Sequence, residues 1–415
     1  MRIWTECLRY WMNQREEKIE MGEKNLNFDK MTKRTGTGSL KYDFALERGK
    51  PADVLPLWVA DMDFPTSSYV TEALEKQVQH GIFGYSDTKE DYFEAIAAWM
   101  KKHHDWEVQP EWLIKTPGVV FALAMAIQAY TEPGDAVLIQ QPVYYPFTEV
   151  IQDNGRRMVS SNLYQGAGGR YQIDFLDFEQ KIVREKVKLF LLCSPHNPVG
   201  RVWSWEELST IGDICVKHGV KVVCDEIHHD LIFQGKHLVF SNLKKEYADI
   251  TITCTSPSKT FNLAGLQVSN IFIPNPELRT KFQARINAAG YSQLNVMGLV
   301  GAKEAYAKGE EWYQGMMDYV RENIHYTRNF IQKRIPQIRM NEPEGTYLVW
   351  MDFKALGLSP KQLESLILDK AGLWLDSGSM FGSIGEDFER WNVACPRKTL
   401  ITALEKLEAA VNSLT

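Results

Sequence analysis

No long apolar run is present in the sequence. A membrane-spanning helix needs roughly 18 or more consecutive apolar residues, and the longest candidate, "VVFALAMAIQAY" from Val119 to Tyr130, has the length of a buried core helix. Basic charge is not in excess either. Lys and Arg number 47 against 53 Asp and Glu, a net charge of −6, and the basic residues are scattered, not striped, so the electrostatic footprint of a nucleic-acid binder is missing. Cysteine is sparse, at positions 7, 193, 215, 224, 254 and 395 only. No two form a Cys-x-x-Cys pair and none stands with histidine at zinc spacing, so no metal site is expected. Several end apolar runs ("FLLC", "KVVCDE"), where cysteine behaves as a small buried hydrophobe and a reducing cytoplasm suits it. The N-terminal "MRIWTECLRYWMNQREEKIE" has no apolar core of a secretory signal. Repeats, low-complexity tracts and flexible linkers are absent too.

What the sequence has is a chain of 415 residues, 44% hydrophobic and 24% charged. That is too long for one ordinary core, so two domains or one large α/β domain are expected, and a small-molecule enzyme is the favoured class. Residues 1–20 read as an N-terminal extension, because Met21 offers a second start. An amphipathic helix packed on a partner subunit is the alternative there. Five short apolar runs follow in the middle of the chain: residues 135–142, 187–195, 219–226, 248–258 and 267–274. Runs apolar on both faces suit strands of a sheet covered by helices on both sides. Between them lie helical patterns such as "SWEELSTIGDICVKHG", with Ser204 as N-cap, Glu207 as its capping-box partner and Gly219 at the C-terminal end. Beyond about residue 300 the texture becomes a long amphipathic helix stopped by Pro336, a strand "TYLVWMDF", a short helix and a terminal amphipathic helix. The expected division is a segment 21–63 associated with a small domain, a large domain over 64–305, and a small α+β domain over 306–415.

In open α/β sheets, ligands bind beyond the carboxyl ends of the strands. Three such ends, "SPHNPVG", "DEIHHD" and "TSPSKT", offer the amide of Asn197, the carboxylate of Asp225 and the amine of Lys259. Singly, these are a turn, a helix cap and a loop. Together they make a set in which an amine condenses with an aldehyde, a carboxylate keeps a pyridine nitrogen protonated, and an amide donates to a ring oxygen. That set suits pyridoxal 5′-phosphate (PLP). "TPGVV" supplies a glycine turn into a helix N-terminus at Gly118–Val120, an anion site. Ser256 and Ser258 can add hydroxyls, and Tyr144 can stack on the pyridine ring.

These three motifs, in this order, resemble the fold-type I PLP enzymes of the class I/II aminotransferase superfamily, from about Asn27 onward. The resemblance implies an aspartate aminotransferase-like α/β fold. Its large PLP-binding domain holds a mostly parallel seven-stranded sheet in αβα layers, and a smaller α+β C-terminal domain follows. It implies Lys259 as the lysine that joins the cofactor, Asp225 as the pyridinium partner, and Asn197 as donor to the ring hydroxyl. Gly118, Val119, Val120, Ser256 and Ser258 fall on the phosphate-binding positions. Arg397, at the end of "WNVACPR", matches the arginine that grips the substrate carboxylate.

Two departures resemble the C–S β-lyase branch, the MalY/PatB-type cystathionine β-lyases. Gln267 stands where many aminotransferases carry arginine, and His228 where many carry tyrosine. "RTGTGSLKYDFA" and "LPLWVADMDFPT" are similar to that branch as well; by this likeness Ala60 lies near the substrate carboxylate, and Asp61 and Asp63 order the loop. Tyr85 resembles the tyrosine that reaches the phosphate in the neighbouring subunit, which implies a homodimer with shared sites. The implied reaction is α,β-elimination of L-cystathionine or another S-substituted L-cysteine to a thiol, pyruvate and ammonia. A class I/II aminotransferase and a PLP-fold regulatory protein are the alternatives.

Overall fold

The computed structural model describes residues 26–414. The expected extension over residues 1–20, and Met21, lie outside them.

Seven strands form the main sheet: β1 (Leu113–Thr116), β2 (Ala136–Ile139), β3 (Arg157–Ser160), β4 (Leu189–Cys193), β5 (Lys221–Asp225), β6 (Thr251–Thr255) and β7 (Ser269–Phe272). Their order is β1-β7-β6-β5-β4-β2-β3. The central strands β2, β4, β6 and β7 are buried along their whole length, which is why they read as apolar runs without alternation. Alternate residues of β4 enter different cores. Leu189, Leu191 and Cys193 pack with the helix Val119–Tyr130 on one side. Phe190 and Leu192 pack with Leu208 and Ile211 of the helix Trp205–His218 on the other. The result is the expected αβα layering. The helix Trp205–His218 carries the full Ser204–Glu207 capping box and ends at Gly219 with φ 68°, the left-handed conformation that glycine adopts without a Cβ penalty.

Strands β2 to β6 pair in parallel, whereas β7 runs antiparallel to both β6 and β1. A parallel return needs a long crossover. Between Thr255 and Ser269 the chain has only the helical turns Pro257–Thr260 and Ala264–Leu266, and it reverses at Gln267, with φ 51°. Strands β1 and β3 lack an apolar run in the sequence: β1 alternates between half-buried and buried, and β3 begins on the exposed Arg157.

A second, antiparallel sheet follows: β8 (Arg339–Asn341), β9 (Leu348–Asp352), β10 (Asp376–Ser377) and β11 (Phe388–Asn392), in the order β8-β9-β11-β10. The helices Glu310–Arg334 and Arg397–Asn412 pack with it. The N-terminal segment is tied to this unit. Leu55–Pro56 pairs in parallel with Leu373–Trp374, the rings of Trp58 and Trp374 stack at 4.4 Å, and the Asp63 amide donates to the Ala394 carbonyl at 2.9 Å.

Asp63 anchors the segment from within. Its carboxylate lies 2.7 Å from Arg34 and 3.0 Å from Lys41, and it accepts from the Tyr42 hydroxyl at 3.0 Å. Both Lys41 and Asp63 are buried, so losing Asp63 leaves the buried Lys41 charge only its longer 3.7 Å contact to Asp61. Asp63→Ala is expected to lower the free energy of unfolding by about 3 kcal/mol, read as a fall in the urea midpoint at constant slope. A change within about 0.5 kcal/mol, as at an unremarkable surface position, contradicts this anchor.

Candidate active site

The chain leaves β4, β5 and β6 on the same edge of the sheet, and these three exits wall a cavity of about 380 Å³. Around it stand Ala60, Gly118, Val119, Val120, Tyr144, Asn197, Asp225, His228, Ser256, Ser258, Lys259 and Gln267. Positions from 60 to 267 in the sequence thus share one crevice.

A single helical turn places Lys259. Ser256 caps it, its Oγ accepting from the Ser258 amide at 3.1 Å, and Pro257 occupies the first helical position, where its missing N–H costs nothing. The Lys259 amine donates to the Ala60 carbonyl at 2.7 Å. Burial pushes its pKa down to about 8; Asp61 and Asp225 oppose this, and Arg390 adds to it. A substantial neutral fraction near neutral pH makes the amine a usable base and nucleophile.

Asp225 ends β5. Burial pushes its carboxyl up to about 7, against the opposing effects of the Ile227 amide and Lys259. The Ile227 amide donates to it at 3.1 Å. A buried carboxylate so placed calls for a cation to face it. Asn197 uses its carbonyl oxygen to accept from Arg390 at 3.1 Å, which orients its NH₂ as a donor. The backbone carbonyl of Asn197 accepts from the Tyr144 amide at 3.0 Å. Burial holds the His228 imidazole well below its usual range, so the ring is neutral. Its Nδ1 is buried without a protein partner.

Gly118 is the N-cap of the twelve-residue helix Val119–Tyr130. The first amides of a helix have no partner within it and point outward, where the dipole favours an anion. A Cβ added at Gly118 would meet nothing within 4 Å, so the glycine leaves room for a ligand. Ser256 differs from expectation. Its hydroxyl donates to the Val268 carbonyl at 2.7 Å, which commits the proton expected for a phosphate to the protein itself.

A neutralisable amine, a carboxylate awaiting a cation, an oriented amide and an open anion cradle together fit PLP. Two expected residues lie elsewhere. Tyr85 is 98% exposed and takes no part in this chain's own cavity. Arg397 begins the last helix; its Nε donates to Asn323 at 2.7 Å and its guanidinium lies 4.8 Å from the centre of the Tyr326 ring. The helix start turns it toward the helix Glu310–Arg334, away from Lys259, so its expected role is corrected.

The arginine at the site is Arg390. Its Nη1 meets Asn197, its Nη2 donates to the Trp58 carbonyl at 2.9 Å and pairs with Asp376, and its Nε is buried without a protein partner. The signal for it lies in "FERWN": strand alternation sets Arg390 on the same face as Phe388 and Asn392, all three buried, and an arginine is almost never fully buried unless paired.

The fold and this site define a PLP-dependent enzyme. Residues 52–407 match the family model for aminotransferase class I and II, and the chain belongs to that family. It is 44% identical over 388 residues to the cystathionine beta-lyase PatB of Bacillus subtilis (strain 168), covering 93% of this chain and 100% of that protein. It is 31% identical to the protein MalY of Escherichia coli (strain K12), covering 94% and 99%. Among solved structures it is similar to cystalysin from Treponema denticola, which contains PLP, with a TM-score of 0.90 at 38% identity over 94% of this chain and 99% of that one.

The raised pKa of Asp225 has a measurable cost. An acid ionises in the unfolded chain near 3.9 but in the folded, cofactor-free protein only near 7, so wild-type stability falls as pH rises across that window and the penalty is complete above it. In cofactor-free protein at pH 8, Asp225→Asn is therefore expected to raise the unfolding free energy by a few kcal/mol, about 4 at most. The gain should shrink toward pH 4, and the same variant should bind PLP more weakly. Equal stability of the two proteins at pH 8 contradicts the buried, uncompensated carboxylate.

Proposed function

We propose that the protein is a PLP-dependent carbon–sulfur β-lyase acting on L-cystathionine or a related S-substituted L-cysteine, working as a homodimer in the cytoplasm. The observation that carries this reading is the pair His228 and Gln267 on the cavity wall, at the two positions where transaminases of this family more often present tyrosine and arginine. The full-length likeness to a cystathionine beta-lyase agrees with it.

Bound PLP supplies an electron sink for a carbanion at the substrate Cα. The protein supplies position and protons. With the cofactor bound, Asp225 would hold the ring's pyridinium nitrogen, the Asn197 amide its hydroxyl, and the amides from Gly118 to Val120 the phosphate. Arg390, the fork nearest Asn197, holds the substrate carboxylate in one plane, which a lysine could not do. The Lys259 amine takes the proton from Cα. The C–S bond at Cβ then breaks, the thiolate leaves with the electron pair, and water releases the remainder as pyruvate and ammonia. The donors are fixed before reaction, so little reorganisation remains for the transition state.

The homodimer reading is supported by the stretch around Tyr85. Ile82 and Phe83 are 68% and 60% exposed beside it, in a segment without helix or strand. Large apolar side chains clustered on a surface mark a contact, and a two-fold contact there would bring Tyr85 to the partner's phosphate site. The five described cysteines are free and buried, as suits a reducing compartment.

Purified protein given PLP and L-cystathionine, with no keto acid present, is expected to release pyruvate and free thiol in equal amounts. Glutamate formation from an amino acid plus 2-oxoglutarate, without pyruvate from cystathionine, would mean transamination instead.

A further inference from the structure

Outside the residues that line the cavity, three buried side chains converge without a role in the reaction above. His104 ends the helix Glu90–His104, and His229 and Asp230 follow β5. One ligand atom from each of the three, two imidazole nitrogens and a carboxylate oxygen, lies within 4.8 Å of the other two. All three residues are buried.

The hydrogen bonds around them leave one contact unexplained. The Glu226 carbonyl accepts from His229 Nδ1 at 2.6 Å. A carbonyl can only accept, so Nδ1 carries the proton and Nε2 of the neutral ring carries a lone pair. That Nε2 has no hydrogen-bond partner, yet it faces Asp230 Oδ2 at 3.4 Å. A lone pair set against a carboxylate oxygen is repulsive unless a metal ion or a second ring proton lies between them. On the other carboxylate oxygen, His104 Nε2 sits at 2.8 Å. Among the described residues, no lysine or arginine pairs with Asp230 or with the neighbouring buried Glu226.

We propose that His104, His229 and Asp230 form a buried site for one divalent transition ion of the zinc class. Ligand atoms on a tetrahedral zinc are about 3.4 Å apart, given bonds near 2.0–2.2 Å. The His229–Asp230 separation of 3.4 Å equals that spacing, and the His104–Asp230 separation of 2.8 Å would have to widen by about 0.6 Å. Two imidazoles and a carboxylate are the ligand chemistry of zinc and its neighbours, not of magnesium or calcium. The outer contacts are those that orient such ligands. His229 is fixed through Nδ1 by the Glu226 carbonyl, while Asp230 also accepts from the Trp99 indole at 3.0 Å and the Thr260 hydroxyl at 2.6 Å. His104 Nε2 now donates to Asp230, so on binding its proton would pass to Nδ1 and leave the Nε2 lone pair for the ion. Thr260 follows Lys259 directly, so the ion would pin the turn that carries the amine. In sequence His104 lies more than a hundred residues from the adjacent His229 and Asp230, and no zinc-type spacing reveals them.

The test uses the holoenzyme. It is stripped with a chelator, equilibrated with excess zinc sulfate, passed through a desalting column and assayed by mass spectrometry for metal. About one zinc per chain is expected to remain, and the zinc-loaded protein should melt at a higher temperature than the stripped one. His229→Ala and His104→Phe should each lose the retained zinc and the thermal shift, while His80→Ala, at an exposed histidine, should keep both. Should the buried variants fail to fold, wild-type protein loaded with cobalt(II) should show the visible bands of a tetrahedral ion. Retention below about 0.1 zinc per chain, equal retention in the two variants, or cobalt without those bands would each overturn the site.

Discussion

The guanidinium of Arg390 is buried where three parts of the chain meet. Nη1 reaches Asn197 at the exit of β4, Nη2 reaches the Trp58 carbonyl of the N-terminal segment, and Asp376 of β10 pairs with it. Each partner belongs to a different stretch of sequence, and each loses a buried contact if the arginine leaves. The large sheet, the small sheet and the N-terminal segment are therefore held in one relative arrangement by a group that also touches Asn197 on the cavity wall. A buried ion pair adds little to stability by itself, but breaking it is costly. Its value here is positional: the guanidinium that orients the Asn197 amide keeps its Nε–H without a protein partner, open to a carboxylate.

The rest of the site depends on the same crevice staying poor in water. Burial moves Asp225 up and Lys259 down toward neutrality. These opposite shifts have one cause, the cost of holding a charge away from water. They prepare the two groups for different tasks. The acid is ready to ionise when a cationic ring nitrogen arrives. The amine is ready to exchange a proton at physiological pH.

The fold class and most of the site are legible in the sequence because both are written locally. Central strands are apolar on both faces and their exits carry the polar residues, so the residue pattern alone places Asn197, Asp225 and Lys259 on one edge. The Ser204–Glu207 capping box is legible for the same reason: its signal spans four residues. What stays hidden depends on distant partners. β7 reverses because its connection is too short for a crossover, a fact of geometry and not of composition. Ser256 reads as free, but its hydroxyl is taken by the Val268 carbonyl across the loop. Arg390 and Arg397 lie in one short motif, "RWNVACPR", and only the change from strand to helix between them decides which reaches Asn197. Asp61 and Asp63 read as residues that order a loop, but nothing local shows their partners, Arg34 and Lys41.

The central claim is that Arg390, and not Arg397, reads the substrate carboxylate. Steady-state kinetics of L-cystathionine cleavage by Arg390→Lys and Arg397→Lys, each checked for wild-type cofactor absorbance, test it most directly. Arg390→Lys keeps the charge beside Asp376 but loses the planar fork, and its kcat/KM should fall roughly 100-fold, mainly through KM. Arg397→Lys should stay within about 3-fold of wild type, as a position outside the cavity does. The reverse order, with Arg397→Lys crippled and Arg390→Lys near wild type, would contradict the account.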